Sequence, residues 1–246
     1  MVGSWLFAVT STNQIIRLDL TTGESKTNHV KVDEVMLLPA ANGKHVYYLR
    51  QAKEGVAELG SLDPESLTTT PILEYKLEDF DRMPAISPDG RRVAFLDNKS
   101  ASCDIAVYRG REVERRLSIN YTNETMNLGQ PCFSRSGDKI YASFYSEPEE
   151  ADGEGSCGFI EIPLNGKPPR KTTLIPKIPK EDHASDQSLL LPIALSHDGK
   201  ALAACPTFLW SSKWSSPENY ALCVVDLTTW PHKIKRVPLS PPPEEQ

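Results

Sequence analysis

Short runs in which apolar and polar positions alternate recur along almost the whole chain, among them IIRLDL (15–20), HVYYLR (45–50), RRVAFLD (91–97) and KIYASFY (139–145). An alternation of period two puts one set of side chains on each face of an extended chain, so these runs predict half-buried β-strands. Helical stretches of adequate length and period are absent. The charged stretch KLEDFDR (76–82) could form one turn of helix but is better read as a connection between strands.

The punctuation between strands repeats as well. PAISPDG (84–90) stands before RRVAFLD, PCFSRSGD (131–138) before KIYASFY, and PIALSHDGK (192–200) before ALAAC; a worn copy, PAANGK (39–44), precedes HVYYLR. In such a turn proline presets φ, aspartate bonds its own backbone and glycine accepts positive φ. The turn glycines Gly43, Gly90, Gly137 and Gly199 are spaced by 47, 47 and 62 residues. Behind each turn the order is also kept. RRVAFLD leads to CDIAVYRG (103–110) and REVERRLSI (111–119), while ALAAC leads to NYALCVVDLTT (219–229) and HKIKRVPL (232–239). A period of roughly 40–50 residues with several short strands per unit is the signature of propeller blades.

These residues resemble the TolB-type and WD-like β-propeller repeat, whose hallmark is a P-x-[FIW]-S-P-D-G turn followed by an apolar strand. The likeness is strong at 84–95, good at 131–143 and 192–203, and weak at 39–48, where Ala-Ala-Asn replaces Ser-Pro-Asp. It implies an all-β propeller of about five four-stranded blades, near 1–31, 32–78, 79–125, 126–186 and 187–240, followed by a linker or frayed tail at 241–246. In the first unit WLFAVTS and QIIRLDLTTGES are present, but the innermost strand and its turn are missing, with Gly3 where the turn glycine would be. The reading favoured is a piece of a larger propeller; a misplaced start and a five-bladed ring with one short blade are the alternatives.

Bulk properties narrow the function classes. At 246 residues the chain can be one domain. The 27 basic and 33 acidic residues give a net charge of −6, which disfavours nucleic acid as partner. No run reaches the ~18 apolar residues that cross a bilayer, and the start lacks the basic and apolar regions of a signal peptide. Five cysteines, Cys103, Cys132, Cys157, Cys205 and Cys223, form no CxxC pair and no zinc spacing. They read as small buried hydrophobes and lean weakly toward a reducing, cytoplasmic compartment; a periplasmic or extracellular one fits if the chain is a fragment. Asn98, Asn120 and Asn123 match the short N-x-S/T acceptor pattern, which arises readily by chance.

Catalytic constellations do not emerge. The nearest approach to a nucleophile elbow, Gly153 to Gly158, places Glu154 two residues before Ser156. His29, His45, His183, His197 and His232 are scattered; His183 lies between Asp182 and Asp186 without further ligands, and a solvated loop explains it better than a metal. Asp89, Asp138 and Asp198 read as turn residues rather than as the paired carboxylates of a glycoside hydrolase. No cofactor is expected.

What stands out is where the chain is enlarged. In a propeller blade the loop between second and third strands shares a face with the connection to the next blade. The fourth unit carries an acidic loop there, with Glu147, Glu149, Glu150, Asp152 and Glu154; the fifth carries an aromatic one, with Phe208, Trp210, Trp214 and Pro217. The connection KIPKEDHASDQ (177–187) should emerge on the same face. Two readings stand: a partner-binding surface of Phe208, Trp210 and Trp214 steered by Glu149, Glu150 and Asp152, or tryptophans folded back over the blade edge beside a solvated acidic loop. The expected function is a non-enzymatic scaffold that binds a protein or peptide through this face. The alternative is an accessory propeller of a hydrolase resembling the prolyl-oligopeptidase family, its catalytic domain lying outside this chain.

Overall fold

The computed structural model describes residues 5–10, 14–29, 35–39, 45–76, 84–97, 103–109, 112–119, 124–148, 155–178, 193–196, 198–204 and 221–238. All regular structure among them is extended, and it forms five antiparallel sheets, the blades of a β-propeller. The first sheet has three strands, β1 (Trp5–Val9), β2 (Gln14–Asp19) and β3 (Ser25–His29). The second has β4 (Val35–Pro39), β5 (Val46–Lys53), β6 (Val56–Leu62) and β7 (Thr69–Lys76); the third has β8 (Ala85–Ile86), β9 (Arg92–Asp97), β10 (Cys103–Arg109) and β11 (Glu112–Ile119). The fourth comprises β12 (Glu124–Phe133), β13 (Lys139–Pro148), β14 (Gly155–Pro163) and β15 (Arg170–Ile178). The fifth comprises β16 (Ile193–Leu195), β17 (Ala201–Ala204), β18 (Ala221–Asp226) and β19 (Lys233–Pro238). In every sheet neighbours in sequence are neighbours in space. The chain divides into two compact units, Met1–Leu117 and Ser118–Gln246, the division falling inside β11.

A serine closes the hairpin between the first two strands in three blades. Ser87 donates its N–H to the Arg92 carbonyl at 2.9 Å, and its Oγ accepts the Arg92 N–H at 2.8 Å while donating to Asp89 Oδ1 at 2.6 Å. Asp89 also accepts the Arg91 N–H at 3.1 Å, and Gly90, at φ 69°, donates to the Ser87 carbonyl at 2.9 Å. A Cβ on Gly90 would stand 1.9 Å from the Tyr47 hydroxyl, so the position admits glycine for its φ and for its contact. Ser196, Asp198 and Gly199 repeat the set, with Ser196 Oγ accepting from Ala201 at 2.9 Å and donating to Asp198 at 2.7 Å. In the fourth blade the order is Gly137-Asp138 instead of Asp-Gly. The carboxylate moves two places along the chain relative to the serine, yet Ser134 Oγ still reaches it at 2.9 Å and Ser136 Oγ donates to the same oxygen.

A second recurrent turn joins the last two strands. Asp19 Oδ1 accepts the N–H groups of Thr21 and Thr22 at 2.8 and 3.2 Å, Asp63 Oδ1 those of Glu65 and Ser66 at 3.0 and 2.7 Å, and Asp226 Oδ1 that of Thr228 at 2.9 Å. These are aspartate-nucleated turns. Because β2–β3 carries the same turn as β6–β7 and β18–β19, the three strands of the first sheet are the outer three of a blade, and the innermost strand is the one missing among the described residues.

Within the first unit, packing joins sheets pairwise. Leu38, Tyr47, Leu59 and Leu73 of the second sheet bury against Ile86, Val93, Phe95 and Ala106 of the third. Ile15 of the first sheet buries against Val46, Leu62 and Leu67 of the second. Leu67 is fully buried at φ 63°, in the place where Gly23 stands in the first blade. A branched side chain there costs about 1 kcal/mol of backbone strain, which burial worth about 2 kcal/mol outweighs. The turn it ends is held from the first sheet. Arg17 Nη1 donates to the carbonyls of Pro64 and Glu65 at 2.9 and 3.2 Å, Lys26 Nζ to Glu65 at 2.9 Å, and Asn28 Nδ2 to Leu67 at 2.5 Å. In the second unit, Tyr141, Tyr145, Cys157, Phe159 and Leu174 of the fourth sheet pack on Leu202, Ala204, Cys223 and Val225 of the fifth, and Arg236 Nη2 donates to the Leu174 carbonyl at 2.7 Å. β19 is exposed along its whole length.

Ser87 is 1% exposed and Ser134 7%, whereas Ser196 is only half-buried. Removing a hydroxyl that satisfies a buried N–H costs about 1–2 kcal/mol. Ser87→Ala and Ser134→Ala should therefore each lower the unfolding free energy in urea by about that amount, and Ser196→Ala by under about 1 kcal/mol.

Candidate functional site

The sheets of the second unit have two distinct ends. A Cβ on Gly199 would lie 2.9 Å from Arg135 Cβ, so the β16–β17 turn packs directly on the β12–β13 turn. Each of these turns is tied to the other turn of its own blade: Leu164 N–H donates to the Asp138 carbonyl and Leu227 N–H to that of Lys200, both at 2.8 Å. One end of both sheets is thus made of short, internally bonded turns. At the opposite end β13 gives way to β14, and β17 to β18, through the two long connections that the sequence marks as enlarged. Phe208, Trp210, Trp214, Glu149, Glu150 and Asp152 lie outside the described residues, as do His183, His197, Cys205, Asn98, Asn120 and Asn123.

A concavity among the described residues lies at the short-turn end of the fourth blade. A cleft of about 270 Å³ is lined by Asp138 and Lys139 at the start of β13, Glu161 on β14, and Asn165, Lys167 and Arg170 from the β14–β15 turn. Glu161 is 3% exposed and pairs with Lys139, Nζ to Oε2 3.2 Å. Asp138 accepts from two serine hydroxyls; burial pushes its carboxyl up, but those bonds from Ser136 and Ser134 outweigh it and hold the group below the ordinary carboxylate range. The cleft therefore presents cations, and its acids are engaged. Sequence reasoning missed it because its two turns are 25 or more residues apart; the only local signal is the basic, proline-rich turn LNGKPPR (164–170).

The other buried carboxylate serves the scaffold. Tyr48 and Gly60 are cross-strand partners on β5 and β6, and a Cβ on Gly60 would sit 2.3 Å from the Tyr48 ring. With the ring lying across the glycine, Tyr48 donates its hydroxyl to Glu58 Oε1 at 2.7 Å, and Arg50 binds both Glu58 oxygens, Nε to Oε1 at 2.7 Å and Nη2 to Oε2 at 3.0 Å. Burial alone pushes the Glu58 carboxyl up; the bonds from Arg50 and Tyr48 and the Arg50 charge prevail and hold it below its ordinary value. Tyr48 is pushed up by burial and by Glu58. The turn aspartates behave as the sequence implied. Asp89 and Asp198 are both held low by hydrogen bonds from their own turn, against burial in the case of Asp89.

Cys157 and Cys223 are buried and Cys132 is largely so, all three as free thiols. Burial pushes the Cys132 and Cys157 thiols up to about 12, the opposite of what a nucleophilic or redox cysteine needs. Among the described residues no group of three His, Cys, Asp or Glu side chains is placed to hold a metal ion, and no helix is long and apolar enough to cross a membrane.

No family model and no curated protein matches the chain. Solved structures do. TolB from Acinetobacter baumannii is similar with a TM-score of 0.54 at 12% identity, over 92% of this chain and 48% of its own. The β-propeller domain of the Trilobed protease from Pyrococcus furiosus, of open velcro topology, gives 0.52 at 16% identity, over 93% and 68%. The complex of KlAtg21 with the coiled coil of AgAtg16 gives 0.53 at 13% identity, over 98% and 69%. The chain spans about half the length of TolB and about two thirds of the other two. At these identities the likeness shows the fold, a β-propeller, and the neighbours include both protease and non-protease propellers.

Two outcomes test these assignments. A carboxyl held below its unfolded pKa of ~4.3 contributes stability that is complete above that pH and lost as pH falls through the folded value. Lowering pH from 6 to 3 should thus destabilise the protein, and Glu58→Gln should lower stability at pH 6 by roughly 2 kcal/mol while flattening part of that acid limb in urea titrations. Iodoacetamide at pH 8 should leave Cys132 and Cys157 unmodified in the native protein and label both in urea, read by peptide mapping.

Proposed function

We propose that this chain is a non-enzymatic β-propeller scaffold that binds a protein or peptide through the end of the last two blades carrying the long connections. The observation that carries this reading is the packing of Gly199 on Arg135. It sets the short turns of the fourth and fifth blades side by side, which supports reading the two enlarged connections as neighbours at the other end. The sheets of these two blades are closely packed, with side chains of β13, β14 and β18 buried. Loops displayed on a rigid support carry recognition more often than the support does. Phe208, Trp210 and Trp214 supply the residue types that dominate interface energies, and Glu149, Glu150 and Asp152 supply charge to steer a basic partner. The KlAtg21–AgAtg16 complex is a structural neighbour in which a coiled coil is bound.

The test is affinity capture with the intact chain as bait, followed by mass spectrometry and titration of the partner recovered. Trp210→Ala with Trp214→Ala should leave the melting temperature within about 2 °C, a change of under ~1 kcal/mol, and weaken partner binding at least about 100-fold. Reversing Glu149, Glu150 and Asp152 to lysine should slow association about tenfold at low salt and matter less at high salt. A large loss of stability in the tryptophan variant would make these residues core and overturn the reading. Recovery of an intact peptidase domain as the sole partner would favour the accessory propeller of a hydrolase.

A further inference from the structure

The cleft at the short-turn end of the fourth blade is not used by the proposed scaffold surface, and its chemistry points to a ligand. Of its three cations, Lys139 is committed to Glu161, but Lys167 and Arg170 form no ion pair among the described residues. Arg170 is nonetheless held in place. Its guanidinium carbon lies 5.1 Å from the Trp230 ring centroid, Trp230 meets His232 edge-on at 4.9 Å, and His232 stacks at 5.8 Å on fully buried Phe159. A column of rings thus roots an exposed arginine in the core of the second unit. A guanidinium held by a ring face keeps its in-plane N–H groups for a carboxylate, and much of the entropy of fixing it is already spent.

Trp230 is 48% exposed, which is large for an indole in a described strand-to-strand turn. It forms an apolar flank next to the charged cleft. The volume of about 270 Å³ is below the ~300–1,000 Å³ of sites for whole small molecules, and suits one side chain. Three cations against Asp138 and Glu161 leave a single net positive charge, which matches a monoanionic carboxylate better than a phosphate dianion.

We propose that this cleft binds an aspartate or glutamate side chain of an acidic peptide segment, with Lys167 and Arg170 as its cationic donors and Trp230 receiving the neighbouring apolar residue. Arg170 donates two N–H groups to the carboxylate in bidentate fashion and Lys167 adds a point charge. The site lies at the other end of the blade from the proposed loop surface, and it stands or falls independently of that surface.

The experiment is calorimetric titration of the intact chain with a blocked hexapeptide in which two glutamates flank a leucine, at low and at 0.5 M salt. Expected is saturable binding that weakens with salt, falls about tenfold in Arg170→Gln and in Lys167→Gln, about 1.4 kcal/mol each, and is abolished in Lys167→Glu with Arg170→Glu. Trp230→Ala should lower affinity for the leucine peptide and leave that for its glycine analogue unchanged. The Trp210→Ala, Trp214→Ala variant should bind the peptide like the parent protein, which separates this site from the loop surface. Circular dichroism melts of each variant confirm folding. Absence of peptide binding at millimolar concentration, binding insensitive to the charge reversals, or preferential binding of inorganic phosphate or free glutarate would each overturn the proposal.

Discussion

In three of the blades a serine hydroxyl at the head of the sheet helps to fix how the first hairpin closes. Ser87 Oγ accepts the N–H of Arg92 and donates its own hydrogen bond to Asp89, which favours one register for that hairpin. In a sheet a slip of one residue turns every side chain to the other face. With Ser87 in place, Val93 and Phe95 of β9 enter the core of the first unit. With Ser134 in place, Tyr141 and Tyr145 of β13 enter that of the second. The fourth blade shows that the geometry, not the exact order of residues, is what is kept. Asp138 stands two places later in its turn than Asp89 does, and the serine reaches it all the same.

Burial is used to hold groups that would be costly elsewhere. Leu67 occupies a backbone conformation suited to glycine because its side chain fills the contact between the first two sheets, and Arg17, Lys26 and Asn28 hold the carbonyls of its turn. The short first blade is thereby fastened to its neighbour through main-chain acceptors, which do not depend on what side chains the turn carries. Glu58 and Glu161 sit nearly buried because each has a cation within bonding distance.

The blade order and three serine turns were readable in the sequence because their chemistry is local: a hydroxyl, a carboxylate and a glycine within five residues. That the first sheet has three strands among the described residues was also expected, because the unit reads directly as WLFAVTS and QIIRLDLTTGES. The Asp19, Asp63 and Asp226 turns are equally local, and D-L-T-T occurs twice in the chain, but the weaker copy D-P-E-S hides the repeat. The cleft was out of reach because Lys139 and Arg170 meet only after three strands have paired. Leu67 was out of reach because its conformation depends on residues of another sheet. Enlargement of the last two units was visible as spacing, whereas the packing of Gly199 on Arg135, which sets their two short turns side by side, is tertiary.

The outermost strand of the last blade carries a further meaning. All six residues of β19 are exposed, and a free, regular strand edge is an invitation for any other extended chain to add itself by main-chain hydrogen bonds. Here Lys233 and Lys235 bring like charge to that strand, while Arg236 is turned to the Leu174 carbonyl of the neighbouring sheet, and Pro238 removes a donor at its end. A second copy of the same strand brought alongside would meet its own cations.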